Sequence, residues 1–318
     1  MIEILQAACE HAYVETFKLI GTREGSVKIS AGAGGDVSRK IDLVAERAVI
    51  ETVRNAGEDP TIIGEECGVL PGSNGYLIMD AVDGTTNATR GIPYCCCSLA
   101  YATAPNLNCV TEAAVIDLTS GDMYYASEGA GAYLNKNRIN VTNKTDLDYS
   151  DLIGGINVSS SDNHTITSLG PFITKLKHVR HFGANALELC YLANGMIDIS
   201  ADLRMKIRPT DVAGSFMIVR EAGGIILSPT GDPVDSSVFP GTTLSYVGLA
   251  DKSLFKHFEE EIKYFIKQIS ARAGIRTRVG GVTVPHTGPD FMMLELPYPY
   301  KTSLCYPGTH NQTFGKTN

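Results

Sequence analysis

Apolar and polar positions along the first half of the chain predict two helices followed by a series of strands. Apolar residues recur at near-helical spacing over residues 1–20, at Ile4, Ala8, Val14, Phe17 and Ile20. A second helix is expected near residues 40–55. Short apolar runs bounded by turn residues predict strands at 61–64, 76–79, 94–103, 110–117 and 122–127. We therefore expect residues 1–150 to form an N-terminal α+β domain.

From about residue 151, candidate strands and candidate helices alternate. The expected strands are 152–156, 177–182, 196–199 and 225–227. The expected helices are 162–175, one that starts at 183–186, 211–222 and 252–269. This alternation is typical of an α/β domain, which we place at residues 151–268.

The last part of the sequence has a different character. Residues 271–318 contain five prolines, six glycines and no sustained periodicity, with five Lys or Arg against two Asp or Glu. This composition predicts that residues 269–318 are a disordered or non-native tail. The alternative is an additional arm that contacts another subunit.

Composition excludes several classes of protein. The chain has 318 residues, 43% of them hydrophobic and 19% charged, which is ordinary for a globular protein of about two domains. It contains no apolar run of the roughly 18 residues that a membrane helix needs, and its N-terminus does not resemble a secretory signal. The net charge of −8 disfavours nucleic acid as a partner. We therefore expect a cytoplasmic protein that binds neither membrane nor nucleic acid.

Candidate chemistry first emerges where the apolar run 76–79 ends. Asp80 and Asp83 follow it directly, and an unpaired buried charge is costly, so a cation is expected beside them. The following segment, Gly84–Thr86, combines hydroxyl groups with free backbone N–H groups, which suit a phosphate. Acids for a metal next to donors for a phosphate indicate metal-assisted hydrolysis of a phosphate ester.

Two further acids occupy comparable positions at the ends of predicted elements. Glu65 follows the strand 61–64, and Asp211 starts a predicted helix. Mg²⁺ takes oxygen ligands and keeps several waters, so a few carboxylates suffice to bind it. Two such ions about 4 Å apart can hold a nucleophilic water and stabilise the leaving oxygen.

Three linked motifs carry a resemblance to a known family. Their order and spacing, across about residues 1–268, are similar to those of the inositol monophosphatase superfamily: Gly64–Glu66, Asp80–Asn87, and Asp211–Gly214 with Glu221–Gly224. The stretch 35–42 resembles the archaeal members that hydrolyse both inositol monophosphate and fructose 1,6-bisphosphate. The resemblance implies the five-layer α-β-α-β-α sandwich of the inositol monophosphatase/fructose-bisphosphatase type.

The resemblance also implies roles for individual residues. The implied metal ligands, for two or three Mg²⁺ ions, are Glu65, Asp80, the Val82 carbonyl, Asp83 and Asp211. Thr85 and its partner Asp42 would activate the nucleophilic water with Glu65, and the backbone of Gly84 and Thr85 would bind phosphate. The implied substrate-binding residues are Gly183, Ala184, Asn185, Asp202, Arg204 and Arg208. Arg204 and Arg208, with Lys206 between them, could hold a second phosphate; the alternative is that these bases only solvate a surface turn.

The function that the resemblance implies is Mg²⁺-dependent hydrolysis of a small sugar or cyclitol phosphate. Inositol 1-phosphate and fructose 1,6-bisphosphate are the leading substrates, and a 3′(2′),5′-bisphosphate nucleotidase is the alternative within the same fold. An alternative of another class is a non-catalytic protein that binds a phosphorylated metabolite. Homodimers are common in the resembled family, so a homodimer is expected.

Overall fold

The computed structural model of the protein describes residues 1–31, 37–273, 278–279 and 282–283. The helices of these residues are α1 (Ile2–Thr16), α2 (Lys40–Asn55), α3 (Thr85–Arg90), α4 (Asn163–Thr174), α5 (Asn185–Ala193), α6 (Ala213–Glu221) and α7 (Lys252–Ala273). None of them is both long and apolar enough to cross a membrane.

An eight-stranded sheet forms the first half of the fold. Its strands in spatial order are β10 (Asn137–Ile139), β9 (Gly131–Leu134), β8 (Met123–Ser127), β7 (Val110–Asp117), β6 (Cys96–Ala102), β5 (Tyr76–Asp83), β3 (Thr61–Gly64) and β4 (Gly68–Leu70). All neighbours are antiparallel except β3 and β5, which run parallel with Gly64 opposite Met79. A separate antiparallel pair, β1 (Lys28–Ala31) and β2 (Val37–Arg39), precedes α2.

A five-stranded sheet forms the second half. Its strands in spatial order are β12 (His178–Arg180), β11 (Ile153–Ile156), β13 (Ile199–Ile207), β15 (Leu244–Leu249) and β14 (Ile225–Leu227). The first three are parallel and the last two join antiparallel. Two short strands, β16 (Arg278–Val279) and β17 (Val282–Thr283), form an antiparallel pair.

The two sheets and their helices stack in five layers. In β5, Leu77 and Met79 face the core that contains α1 and α2, whereas Ile78 faces the core that contains α5 and α6. This alternation follows from the two-residue period of a strand. Helices α5 and α6 also pack on the second sheet, and α4 and α7 cover its other face. The predicted α-β-α-β-α sandwich is confirmed.

Residues of both predicted domains share the core around α5 and α6. The boundary at residues 150 and 151 stays a prediction. Residues 269–273 belong to α7, and most of the predicted tail after them lies outside the described residues, as do Gly35 and Asp36 of the stretch 35–42.

Several elements differ from the sequence prediction. The predicted strand 196–199 ends where β13 begins, and β13 continues to Ile207, because its register with β15 extends past the charged residues in its middle. The predicted helix 211–222 is a 3₁₀ turn, Pro209–Asp211, followed by α6. Helix α1 ends at Thr16, so Phe17 is 54% exposed and does not join a buried face. Strand β15 had not been predicted.

Candidate active site

Three carboxylates from three segments converge at one edge of the first sheet. Because β3 and β5 are parallel and Gly64 pairs with Met79, the next residues lie side by side: Glu65 just past the end of β3, and Asp80 within β5. Asp211 reaches them from the 3₁₀ turn that follows β13. One oxygen atom of each carboxylate lies within 4.8 Å of the others. This arrangement of oxygen donors fits a hard divalent cation.

Asp83 is brought to the same side of β5 by an irregularity in the sheet. Asp80 pairs with Ser98 and Asp83 with Cys96, so three steps along β5 match two steps along β6. Residues two apart on β6 share a face, and therefore Asp80 and Asp83 share one too. The Oδ2 atom of Asp83 accepts a hydrogen bond of 2.6 Å from the backbone N–H of Ala186, the second residue of α5.

Thr85 connects this strand with helix α2. Its hydroxyl lies 3.1 Å from Oδ1 of Asp42 and 3.1 Å from the carbonyl oxygen of Val82, so its single proton is shared between two acceptors. The other oxygen of Asp42 accepts the backbone N–H of Arg39 at 2.7 Å, in the first turn of α2. The sequence prediction that Asp42 is the partner of Thr85 agrees with this contact.

Gly84 makes the sharp turn between β5 and α3. Its φ angle of +89° is one that residues with a side chain rarely adopt. A Cβ atom there would also lie 3.1 Å from both the Cβ of Ala184 and the carbonyl oxygen of Tyr94. The turn therefore brings the start of α3 next to the start of α5.

Burial and repulsion between neighbouring carboxylates disfavour the ionised forms of these acids. Burial raises the pKa of Asp42 to about 6 and that of Glu65 to about 7. The pKa values of Asp80 and Asp83 are raised by burial and then by neighbouring carboxylates, and burial also raises that of Asp211. A divalent cation would reverse this balance by favouring the ionised forms. The donor set thus fits the metal that the sequence predicted.

A basic side chain already lies among these acids. Arg208 donates from Nη1 to Oε1 of Glu65 at 2.6 Å and from Nε to Oδ1 of Asp211 at 3.1 Å. Burial alone would lower the pKa of Arg208, but Asp211 and Glu65 raise it, so the guanidinium remains charged. The prediction had assigned this residue to a substrate phosphate, whereas here it contacts two predicted metal ligands.

The other predicted substrate residues fall into two groups. Gly183 and Ala184 border the turn after β5: a Cβ on Gly183 would lie 3.2 Å from Nδ2 of Asn87. Asn185, Asp202 and Arg204 instead take part in a hydrogen-bonded network in the second sheet, joined by Asn157 and Tyr246. Their roles in substrate binding stay predictions.

Within that network the basic and acidic partners are tightly paired. Arg204 donates to Asp202 from its backbone N–H at 3.1 Å and from Nε at 2.9 Å, and its Nη1 donates to the Ser159 carbonyl at 2.6 Å. Asp202 is fully buried. This pair connects the middle of β13 to the segment that contains Ser159.

Two acids of this region were not predicted to contribute. A small cleft that is open to solvent is lined by Asp42, Glu46, Glu65, Glu66, Asp80, Ala81, Val82 and Thr85. Glu66, the residue after Glu65, is half-buried and accepts a hydrogen bond from Ser38. Glu46 is buried. Its position four residues after Asp42, on the same face of α2, is the sequence signal that could have identified it.

Comparisons with known proteins agree with this geometry. The model of the inositol monophosphatase family matches residues 2–263. A fructose-1,6-bisphosphatase/inositol-1-monophosphatase of Methanothermobacter thermautotrophicus is 36% identical over 231 residues, which cover 68% of this chain and 80% of that protein. The Nus factor SuhB of Escherichia coli K12 is 32% identical over 211 residues, 65% of this chain and 77% of its own. A solved inositol monophosphatase–fructose 1,6-bisphosphatase matches with a TM-score of 0.72 at 25% identity, over 81% of this chain and 98% of that one.

Proposed function

Because this chain belongs to the inositol monophosphatase family, we propose that it hydrolyses inositol 1-phosphate, fructose 1,6-bisphosphate or both, with Mg²⁺ as its cofactor. That it is a phosphoric monoester hydrolase follows from the family and from relatives named for both activities. The choice of substrate rests on those names alone.

One observation carries the metal part of the proposal. Oxygen atoms of Glu65, Asp80 and Asp211 lie within 4.8 Å of one another. Glu65 and Asp80 line the same cleft as the hydrogen-bonded pair Thr85 and Asp42. Asp83 and the Val82 carbonyl complete the proposed ligand set. Two or three Mg²⁺ ions bound there would supply a site for the nucleophilic water and compensate the negative charge that develops on the phosphate ester.

Residues of the protein itself then accept the proton of the attacking water and bind the phosphate oxygens. Since the Thr85 hydroxyl already lies between Asp42 and Val82, it can pass the proton of an attacking water to the Asp42 carboxylate. The water oxygen forms a bond to phosphorus as the ester P–O bond breaks. The departing alkoxide takes up a proton from solvent water, and Asp42 later returns its proton to solvent. The backbone N–H groups of Gly84 and Thr85 are proposed to hold the phosphate oxygens.

The alcohol side of the substrate is proposed to lie against the start of α5. Gly183 and Ala184 border the turn at Gly84, so a substrate whose phosphate is held at Gly84 reaches this region. Asn185, Asp202 and Arg204 would set the shape of this surface through their network.

A substrate panel tests the proposal. Phosphate release is measured from inositol 1-phosphate, fructose 1,6-bisphosphate and adenosine 3′,5′-bisphosphate, each with Mg²⁺ and with EDTA. We expect release from one or both of the first two, and only with Mg²⁺. Faster release from the third would favour a 3′(2′),5′-bisphosphate nucleotidase, and no release from any would favour a non-catalytic binding protein.

A pair of matched variants tests the ligand assignment. Asp83→Asn should lower Mg²⁺-dependent release by at least about 100-fold, because the second metal loses a charged ligand, while the amide oxygen can still accept the Ala186 N–H. Asp117→Asn is the control: Asp117 also ends a strand and is buried, but its carboxylate caps the turn at Thr119. Full activity of Asp83→Asn would contradict the assignment.

We also propose, from the family resemblance, that the enzyme is a cytoplasmic homodimer. Analytical ultracentrifugation of the purified chain would give the oligomeric state. A monomer across the micromolar range would contradict that part of the proposal.

A further inference from the structure

Helix α2 presents a second buried carboxylate to the cleft, one turn after Asp42. Glu46 is 5% exposed, like Asp42, and positions i and i+4 lie on the same face of a helix. The proposed reaction uses Asp42 but gives Glu46 no part. A buried carboxylate is costly unless it is hydrogen-bonded, so its partners indicate what it does.

The partners of Glu46 are the backbone groups that surround Glu65 and the thiol of Cys67. Its Oε1 atom accepts the N–H of Glu66 at 3.3 Å and the N–H of Cys67 at 3.2 Å. On the other side of Glu65, a Cβ atom on Gly64 would lie only 2.4 Å from the same oxygen. The carboxylate therefore packs against the chain immediately before Glu65 and binds the chain immediately after it.

This contact holds a turn that lies outside the strand ladder. Strands β3 and β4 pair up to Gly64 and Gly68, so residues 65–67 form the connection between them. The ladder offers no partner to the N–H groups of Glu66 and Cys67, which bind the Glu46 carboxylate instead. The direction of the Glu65 side chain depends on the conformation of this turn.

We propose that Glu46 is a positioning residue that holds the turn 65–67, so that the Glu65 carboxylate faces Asp80 and Asp211. It acts on the metal site through the backbone and touches neither the substrate nor the reacting atoms. Helix α2 thus organises two separate segments of the site: Asp42 binds Thr85 after β5, and Glu46 binds the turn after β3. The inference rests on the proposed function for its metal.

Two substitutions at position 46 separate this role from a direct metal contact. Glu46→Ala removes both backbone hydrogen bonds and should weaken Mg²⁺ binding by about 10–100-fold, as loss of a group that orients a ligand does. Glu46→Gln keeps an oxygen acceptor in the same place and should bind Mg²⁺ within about threefold of wild type. The measurement is calorimetric titration of each purified protein with MgCl₂. Equal weakening by both variants would mean that the charge of Glu46 is needed, and would overturn the proposal.

A matched control removes the same number of bonds elsewhere. Glu221 accepts the backbone N–H groups of Gly129 at 2.9 Å and Gly131 at 2.7 Å in the turn between β8 and β9. Glu221→Ala should therefore lower the melting temperature, as Glu46→Ala does, and leave the Mg²⁺ affinity unchanged. If Glu46→Ala lowered only the melting temperature, its role would be general stability and the proposal would be wrong.

Hydrogen exchange tests the same inference without metal or substrate. In EDTA, the peptide that covers residues 61–70 should exchange faster in Glu46→Ala than in wild type, and Glu46→Gln should restore most of the protection. Unchanged exchange in Glu46→Ala would overturn the inference whatever the enzyme hydrolyses. If wild type binds Mg²⁺ but releases no phosphate from the panel, the proposed function fails while these binding and exchange results still decide the role of Glu46.

Discussion

Replacing Arg208 by methionine should make the stability of the protein depend more strongly on Mg²⁺. The guanidinium binds Glu65 at 2.6 Å and Asp211 at 3.1 Å, so it competes with a metal for two of the proposed ligands. Methionine keeps most of the apolar stem but removes the charge. Without Mg²⁺, the acids of the variant have no guanidinium to balance their negative charge, so the variant is less stable than wild type. With Mg²⁺, the metal no longer competes with a guanidinium for Glu65 and Asp211, so it binds the variant more tightly.

The size of the effect follows from the exposure of the pair. The side chain of Arg208 is 30% exposed, and those of Glu65 and Asp211 are 18% and 12% exposed. The pair lies between a surface ion pair, worth up to about 1 kcal/mol, and a buried one, whose disruption costs about 3–5 kcal/mol. We expect a loss of about 2 kcal/mol in EDTA, or a melting temperature lower by about 4 °C in a chain of this size.

Saturating Mg²⁺ should recover much of this loss. If removing the competitor tightens binding about tenfold, Mg²⁺ adds about 1.4 kcal/mol more stability to the variant than to wild type. Differential scanning fluorimetry in EDTA and in excess MgCl₂ measures both values. Arg204→Met is the control, because Arg204 pairs with Asp202 outside the ligand set. The reasoning would be refuted if Arg208→Met lowered the melting temperature by the same amount in EDTA and in Mg²⁺, or if it weakened Mg²⁺ binding.

Two further predictions concern the buried surroundings of Glu188. Burial raises the pKa of Glu188 from 4.5 to about 8, so the folded protein holds a proton that the unfolded chain releases, and stability falls as pH rises through that window by up to about 1.4 kcal/mol per unit. The free energy of unfolding, measured with urea from pH 5 to 8, should fall with pH in wild type more than in Glu188→Gln. An equal dependence on pH in the two proteins would contradict this. Gly155→Ala would place a Cβ atom 2.3 Å from Cδ of Glu188 and should lower the free energy of unfolding by about 1–3 kcal/mol. Gly170→Ala is the control, because a Cβ atom on Gly170 would have nothing within 4 Å, and it should not lower the melting temperature. Equal melting temperatures of the two variants would contradict the steric argument.

The sequence was sufficient to predict that several of the proposed metal ligands lie close together, because these acids occur where predicted elements end. Asp80 and Glu65 follow apolar runs that form β5 and β3, and the parallel pairing of these strands brings the two acids together. The Thr85–Asp42 contact could be expected only from the family resemblance, because 43 residues separate the partners. No local pattern predicts a hydrogen bond over that distance.

Other features depended on partners that the sequence does not reveal. Arg208 is three residues from Asp211, but its contact with Glu65 spans 143 residues. Strand β13 continues through charged residues because Asp202 and Arg204 neutralise each other inside the fold, whereas hydrophobic periodicity predicts an end there. In α1, the buried positions include Leu5, Cys9 and Thr16, and the exposed ones include Val14, so neighbouring layers, not side-chain polarity, decided which face is covered.

The extra residue of β5 determines how tolerant the site can be to changes in chain length. With three steps on β5 opposite two on β6, the spacing of Asp80 and Asp83 is odd, yet both point the same way. Deleting one residue between them would restore an uninterrupted ladder and keep both acids on one face, but would shorten the distance between them by one step. Inserting one residue while the same bulge is kept would turn Asp83 toward the opposite core. The length of the segment between the two acids is therefore constrained, because the bulge in β5 sets the direction and spacing of Asp80 and Asp83.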